Sequence, residues 1–374
     1  MRKLVCVLLV FAMAIPAFAQ QLHVTGTPPE VSGSSVSGFN NANIATAFSQ
    51  ILTELNSQFS NISYNNPQKF LQGMGNSSVY ASHGATTRAY GGYKRFSATL
   101  GSTVGLQLPE SLLTIYDNVD GISDSLEREG DINLGYSPNF FNASVGINMG
   151  VIKFLPKHLG FLKRDNLYVG LRAGYFSLPP GFLEDISYKS LTLGITANYQ
   201  LIPTVGVGVI KWRGVNLGTG FIYNSSSFGI SGLPMGGEIK KPIVSGYNLV
   251  IEPKAYMNMD VTTYTIPLEA VTAIKLLIFN IPFGLGADIA FGKASADFGL
   301  SSDVNYDNLP SGYTQVKKGD ITVSGGVSNS PSIFNFKIMT GIGVNFGPVV
   351  LDVPITIYPA VNGYSFGITA GAVF

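Results

Sequence analysis

Eight charged residues stand in or beside segments that otherwise alternate apolar with small or polar residues. They are Arg172, Glu252, Lys254, Glu269, Lys275, Asp288, Lys337 and Asp352. Charges set on one face of an extended strand can line a watery passage and bias which ions use it. Acids and bases nearly balance here, so strong ion selectivity is not expected. The same residues can instead pair and fill a narrow barrel. Most share the polar phase of their segments, as they should, because a Lys or Arg on a lipid-facing side costs about 2–4 kcal/mol near the midplane.

Other chemistry is poorly served. The histidines are His23, His83 and His158. A nucleophilic or general-base site needs an imidazole held beside its partner. None of the three lies on a predicted strand, and His83, within SHGATTRAY, is the least remote from one. No enzyme activity is expected. A metal site would need clustered His, Asp or Cys, and no such spacing occurs. Asp297, Asp303 and Asp307 are loosely spaced and read as a solvated loop rather than a Ca²⁺ site. The pairs Gly218/Gly220, Gly284/Gly286 and Gly341/Gly343 open no helix with dinucleotide-binding spacing. No cofactor is therefore expected, and a net charge of +1 argues against nucleic acid as a partner.

The elements that must position the charged set are strands. In 364–374, Tyr364, Phe366, Ile368, Ala370, Ala372 and Phe374 fall on one side, with Ser365, Gly367, Thr369 and Gly371 on the other. The same two-residue period recurs in 97–108, 142–151 and 190–201, where Leu193, Ile195 and Ala197 oppose Thr192, Gly194 and Thr196. Weaker versions run near 167–177, 213–224, 247–259, 264–276, 281–291, 334–346 and 349–358. About ten residues at roughly 3.3 Å each, tilted near 45°, cover the apolar band of an outer membrane. Composition agrees: hydrophobic residues are 45% and charged residues only 12%, against about a quarter charged in soluble domains. No apolar run after the first twenty residues is long enough for a spanning helix. A closed sheet is the other fold that satisfies the backbone in lipid.

Residues 1–19 read as a signal peptide. Arg2 and Lys3 precede an apolar run, and Ala17-Phe18-Ala19 forms a cleavage site. The lone Cys6 falls inside it, leaving no thiol chemistry beyond. Residues 94–374 read as an all-β, antiparallel up-and-down barrel of about twelve strands, within about ten to fourteen, since parity demands an even count. Twelve requires one strand hidden between 226 and 246. Segments 109–138 and 292–333 are then outer loops. Residues 20–93 have a helical texture: Ile44, Phe48, Ile51, Leu55 and Phe59 share one face, capped by Asn41 or Asn43. A second helix starts at Asn66-Pro67 and runs to Met74. This segment plugs the lumen, rests below it in the periplasm or packs on a loop.

The leader, the repeated alternation and the terminal FGITAGAVF together resemble bacterial outer-membrane β-barrels of the porin type, over residues 94–374. The resemblance implies outer-membrane lipid as surroundings and the barrel-assembly machinery as a partner. Tyr364, Phe366, Ile368 and Phe374 would then be the signal that machinery reads. It also implies passive transport of small hydrophilic solutes, gated by the N-terminal segment. The N-terminal segment resembles the plug of long-chain fatty-acid transporters, although Asn66-Pro67 is followed by Gln68 rather than that family's Ala. A carrier of hydrophobic ligands bound near Phe48, Ile51 and Leu55 is thus an alternative. A structural or adhesive surface protein acting through 109–138 and 292–333 is another.

Overall fold

The computed structural model describes residues 23–33, 36–60, 67–83, 95–109, 133–179, 185–206, 209–234 and 238–374. The expected leader and most of the 109–138 loop lie outside these. Ten strands form a closed ring: β1 (Phe96–Gln107), β2 (Gly135–Asn148), β3 (Leu167–Ser177), β4 (Ile186–Ile202), β5 (Ile210–Pro234), β6 (Lys254–Leu276), β7 (Phe279–Tyr306), β8 (Phe334–Phe346), β9 (Val349–Tyr358) and β10 (Gly363–Val373). Each pairs antiparallel with its sequence neighbours. Closure comes where β10 meets β1, with Val373 opposite Ser97 and Gly363 opposite Gln107. A meander closed on itself leaves the ring no free edge.

The alternation decides which face goes inward. On β1, Ser97, Thr99 and Thr103 are buried while Phe96 and Leu100 are exposed. On β4, Thr192 is buried, and Leu193 and Ile195 are 46% and 50% exposed. The wall is therefore polar inside and apolar outside, the reverse of a soluble barrel. On β10, Phe366, Ile368 and Phe374 are exposed as expected, but Tyr364 is buried. Its ring lies 6.5 Å from that of Phe366.

The ring holds ten strands rather than about twelve, for two reasons. Segments 247–259 and 264–276 are not two ring strands, because β6 runs unbroken through Asp260–Thr263. Nor is there a ring strand between 226 and 246. Phe228 and Ile230 prolong β5, and Ile239–Val244 pairs with Tyr247–Ile251 in a hairpin beside the ring. Segment 292–333, expected as a loop, is largely strand. Here β7 continues to Tyr306 and Gly319–Asn329 pairs along it, from Val304 opposite Gly319 to Ala294 opposite Asn329.

Strands β5, β6 and β7 thus rise beyond the ring, and the chemistry of both their faces changes as they do. In the lower part of β6, Thr263 and Thr265 are buried while Tyr264 and Leu268 face out. Higher up, Met257, Met259 and Val261 are buried while Asn258 and Asp260 face out. On β7 the change falls near Gly292, between outward Phe283, Leu285 and Phe291 below and outward Lys293 and Asp297 above. The rings of Phe221 and Tyr264, 6.0 Å apart, mark the upper limit of the apolar band. From Tyr264 to Leu276, at about 3.3 Å per residue and a tilt near 45°, that band is about 30 Å tall.

A cap sits on this extension. His23–Thr27 pairs with Gly319–Asn329, and Glu30–Ser32 with Thr314–Lys317. Helix α1 (Asn41–Ser60) is capped by Asn40, whose Oδ1 accepts the Asn43 N–H at 2.9 Å. Asn41 instead clasps Val31, accepting its N–H at 2.9 Å and donating to its carbonyl at 3.1 Å. Ile44, Phe48 and Ile51 are buried against Phe39, Leu249, Ile251, Val304, Ile321 and Val323. They pack in the cap rather than in the lumen, which corrects the expectation that they plug it. The extension presents an apolar face above the band, and α1 covers it. The side chains of Leu55 and Phe59 lie outside the description. Phe48→Ala is expected to cost the cap about 3–5 kcal/mol. Hydrogen exchange should quicken in α1 while the ring's amides keep their protection.

Candidate functional site: the lumen and its plug

Helix α2 (Pro67–Ala81) stands inside the ring. Pro67 suits a first helical position. Gly73, Gly75, Asn76, Ser77 and Ser78 are poor helix formers, so the surrounding wall holds this helix together. Its upper turn places Phe70 and Leu71 in an apolar cluster with Ile230, Met257, Met259, Val261 and Phe298. Its lower turns meet polar groups on every side. Asn224 of β5 donates to Ser78 Oγ at 2.8 Å, and the Ser78 and Thr263 hydroxyls lie 3.3 Å apart. Asn139 of β2 donates to the Ala81 carbonyl at 3.3 Å, and Arg172 of β3 to the Ser82 carbonyl at 2.9 Å. The Tyr80 hydroxyl donates to Gln107 of β1 at 3.0 Å, while Gln107 in turn donates to the Val361 carbonyl.

Glycines in the wall make the room. A Cβ added at Gly105 would strike the Ser77 carbonyl oxygen, one at Gly135 the Gly73 carbonyl, and one at Gly363 the Tyr80 ring. The space these inward glycines leave is occupied by α2.

The lower end of the plug is fastened by a buried charge cluster. Asp288 of β7 lies with Oδ1 2.6 Å from Lys337 Nζ of β8. Its Oδ2 is 2.8 Å from His83 Nε2 and accepts from the Tyr358 hydroxyl at 3.0 Å. Lys337 Nζ also donates to Glu269 Oε1 of β6 at 2.7 Å and sits 3.4 Å from His83 Nε2. The Tyr358 ring stacks on Tyr80 at 3.8 Å.

By residue type His83, Glu269 and Asp288 suit a metal ion, and their ligand atoms lie within 4.8 Å of one another. Sequence spacing carries no trace of this trio, since 205 residues separate His83 from Asp288. The Lys337 ammonium already stands among all three, so the positive charge a cation would bring is present.

Of the eight charged residues expected to line the lumen, Glu269, Asp288 and Lys337 come together in this cluster. Arg172 holds the plug, and Asp352 is buried on β9. Lys275 lies at the lower mouth, opposite Lys211. Glu252 and Lys254 are exposed on the extension and do not line the lumen, because the chain there has already left the band. Sequence reasoning passed over Tyr80, Gln107 and Tyr358, and set His83 aside. Toward the turn end of the lumen, Thr99, Thr103, Asn142 and Thr369 turn polar atoms inward with no protein partner.

The fold and its lumen define a ten-stranded up-and-down barrel with a helix held inside. The profile of the Lsa36-like family matches residues 19–374, and the chain belongs to that family. No curated protein matches the chain. Among solved structures it is similar to the translocator domain of autotransporter NalP from Neisseria meningitidis, at 10% identity, covering 80% of this chain and 100% of that one with a TM-score of 0.26. LpxR from Salmonella typhimurium shows 8% identity, 74% and 100% coverage and a TM-score of 0.23. The CymD monoaromatic hydrocarbon channel shows 12% identity, 83% and 99% coverage and a TM-score of 0.20. Scores this low carry no inference about function.

Proposed function

We propose that this chain is an outer-membrane barrel whose lumen is a passage for small hydrophilic solutes, held shut by α2. The observation that carries the reading is the plug's lower half. Val79 and Tyr80 pack against Ala290 and Tyr358, and Ser78, Tyr80, Ser82 and His83 are tied to the wall by hydrogen bonds and one ionic cluster. Contacts of that kind can exchange for water when the helix moves. The apolar outer band supports a membrane setting, and the small polar residues of the inner wall suit a hydrated path. The hydrophobic-carrier alternative loses its expected site, since Phe48 and Ile51 are buried in the cap. A second reading, recognition of a partner at the outer face, is favoured by the cap built on the extension. We assign the chain no catalytic step.

Planar-bilayer recording tests the passage. The full chain should stay closed for most of a record. The combined variant Ser78→Ala, Tyr80→Ala, His83→Ala should open often. The reading fails if that variant, shown by circular dichroism to keep its strands, is as silent as the parent.

A further inference from the structure

We infer that the barrel carries its own N-terminal segment through its lumen and presents it at the outer face. This rests on the membrane reading above. The connections at one end of the ring are 149–166, 203–209, 277–278 and 347–348; those at the other are 108–134, 178–185, 235–253, 307–333 and 359–362, three of them longer than any at the first end. Short connections mark the periplasmic end of a membrane barrel and long ones the outer end. The cap belongs to the long end, because His23–Thr27 and Glu30–Ser32 pair with strands of 307–333. Yet β1 starts at the short end. There the Arg95 N–H donates to the Phe374 carbonyl at 2.7 Å, and the Phe96 and Phe374 rings lie 4.6 Å apart. Between cap and β1 the chain runs down inside the ring as α2, with Phe70 high in the extension and His83 at the buried cluster.

The described chain thus enters the lumen from the outer mouth and stands inside it at His83, while β1 begins at the inner mouth beside Phe374. The ring has no space for a folded cap to follow that path, since at Gly105, Gly135 and Gly363 the helix leaves no room even for a methyl group. Residues 23–60 must pass unfolded and fold after they emerge. Their folding then supplies direction. Phe39, Ile44, Phe48 and Ile51 bury apolar surface only against the extension. His23–Thr27 finds its strand partner only at Gly319–Asn329.

The sequence has a single cysteine, Cys6, so each variant is built on a Cys6→Ser background and carries one thiol. Gln50→Cys samples the exposed face of α1, Lys318→Cys the outer connection and Lys157→Cys the opposite end. Each is exposed to a membrane-impermeant maleimide on intact cells and again after permeabilisation. The expected result is that Gln50→Cys and Lys318→Cys label equally on intact cells, and Lys157→Cys only after permeabilisation. If Lys318→Cys labels on intact cells but Gln50→Cys does not, the threading inference is overturned and the membrane reading stands. If Lys157→Cys labels on intact cells or Lys318→Cys does not, the membrane reading falls and the inference falls with it.

Discussion

Replacing Asp288 with Ala should lower the stability of the detergent-solubilised barrel by about 3–5 kcal/mol, the usual loss when one member of a buried ion pair is removed. Asp288 and Lys337 are both fully buried, and the carboxylate also receives His83 and Tyr358. Without it the Lys337 ammonium keeps Glu269 as its carboxylate partner, and the Tyr358 hydroxyl loses this acceptor. The comparison is Glu54→Ala, which removes the exposed partner of Lys241. A surface pair of that kind is worth at most about 1 kcal/mol. Urea titration of both variants checks the contrast. Equal midpoints would mean that the cluster is solvated and does not fasten the plug.

The second large effect is steric. Gly105 faces the backbone of α2, and its own backbone is not left-handed, so a substitution there is opposed by contact alone. Gly105→Val would drive a branched side chain into Ser77 and Ala81, and no rotamer relieves a clash that begins at Cβ. Overpacking costs about 1–3 kcal/mol when the surroundings yield, and here the element free to yield is the helix. The variant should keep its strand signal, conduct in planar bilayers, and admit protease to 67–83. A closed, resistant Gly105→Val barrel would show that α2 does not occupy the lumen at β1.

The ring was largely legible in the sequence because a wall that is polar inside and apolar outside imposes a strict alternation. Ser97, Thr99 and Thr103 against Phe96 and Leu100 need no neighbour to be interpreted. The rule ceases where the strand leaves the band. Past Thr262 the outward residues are polar and the inward ones apolar, so β6 changes the meaning of its alternation without changing its phase, and one long strand reads as two. The plug was misplaced for a related reason. Helix α1 has the strong amphipathic stripe that invites attention, whereas a helix threaded through a polar lumen must be small and hydroxylic. The run Gly75 to Ser78 therefore falls past the end of the second predicted helix at Met74. The cluster was out of reach altogether. His83 has no local partner, and only ring closure sets it against Asp288, Lys337 and Glu269.

The reversal of face chemistry along β6 and β7 has a mechanical corollary. It draws a waterline on the molecule. Sunk a few ångströms deeper, the barrel would drown Asp260, Lys293 and Asp297; raised as far, it would strip Phe221, Tyr264 and Phe291 of their oil. The hull thus has a single draught, and its superstructure rides at a constant height, so anything arriving from outside meets it at a fixed standoff.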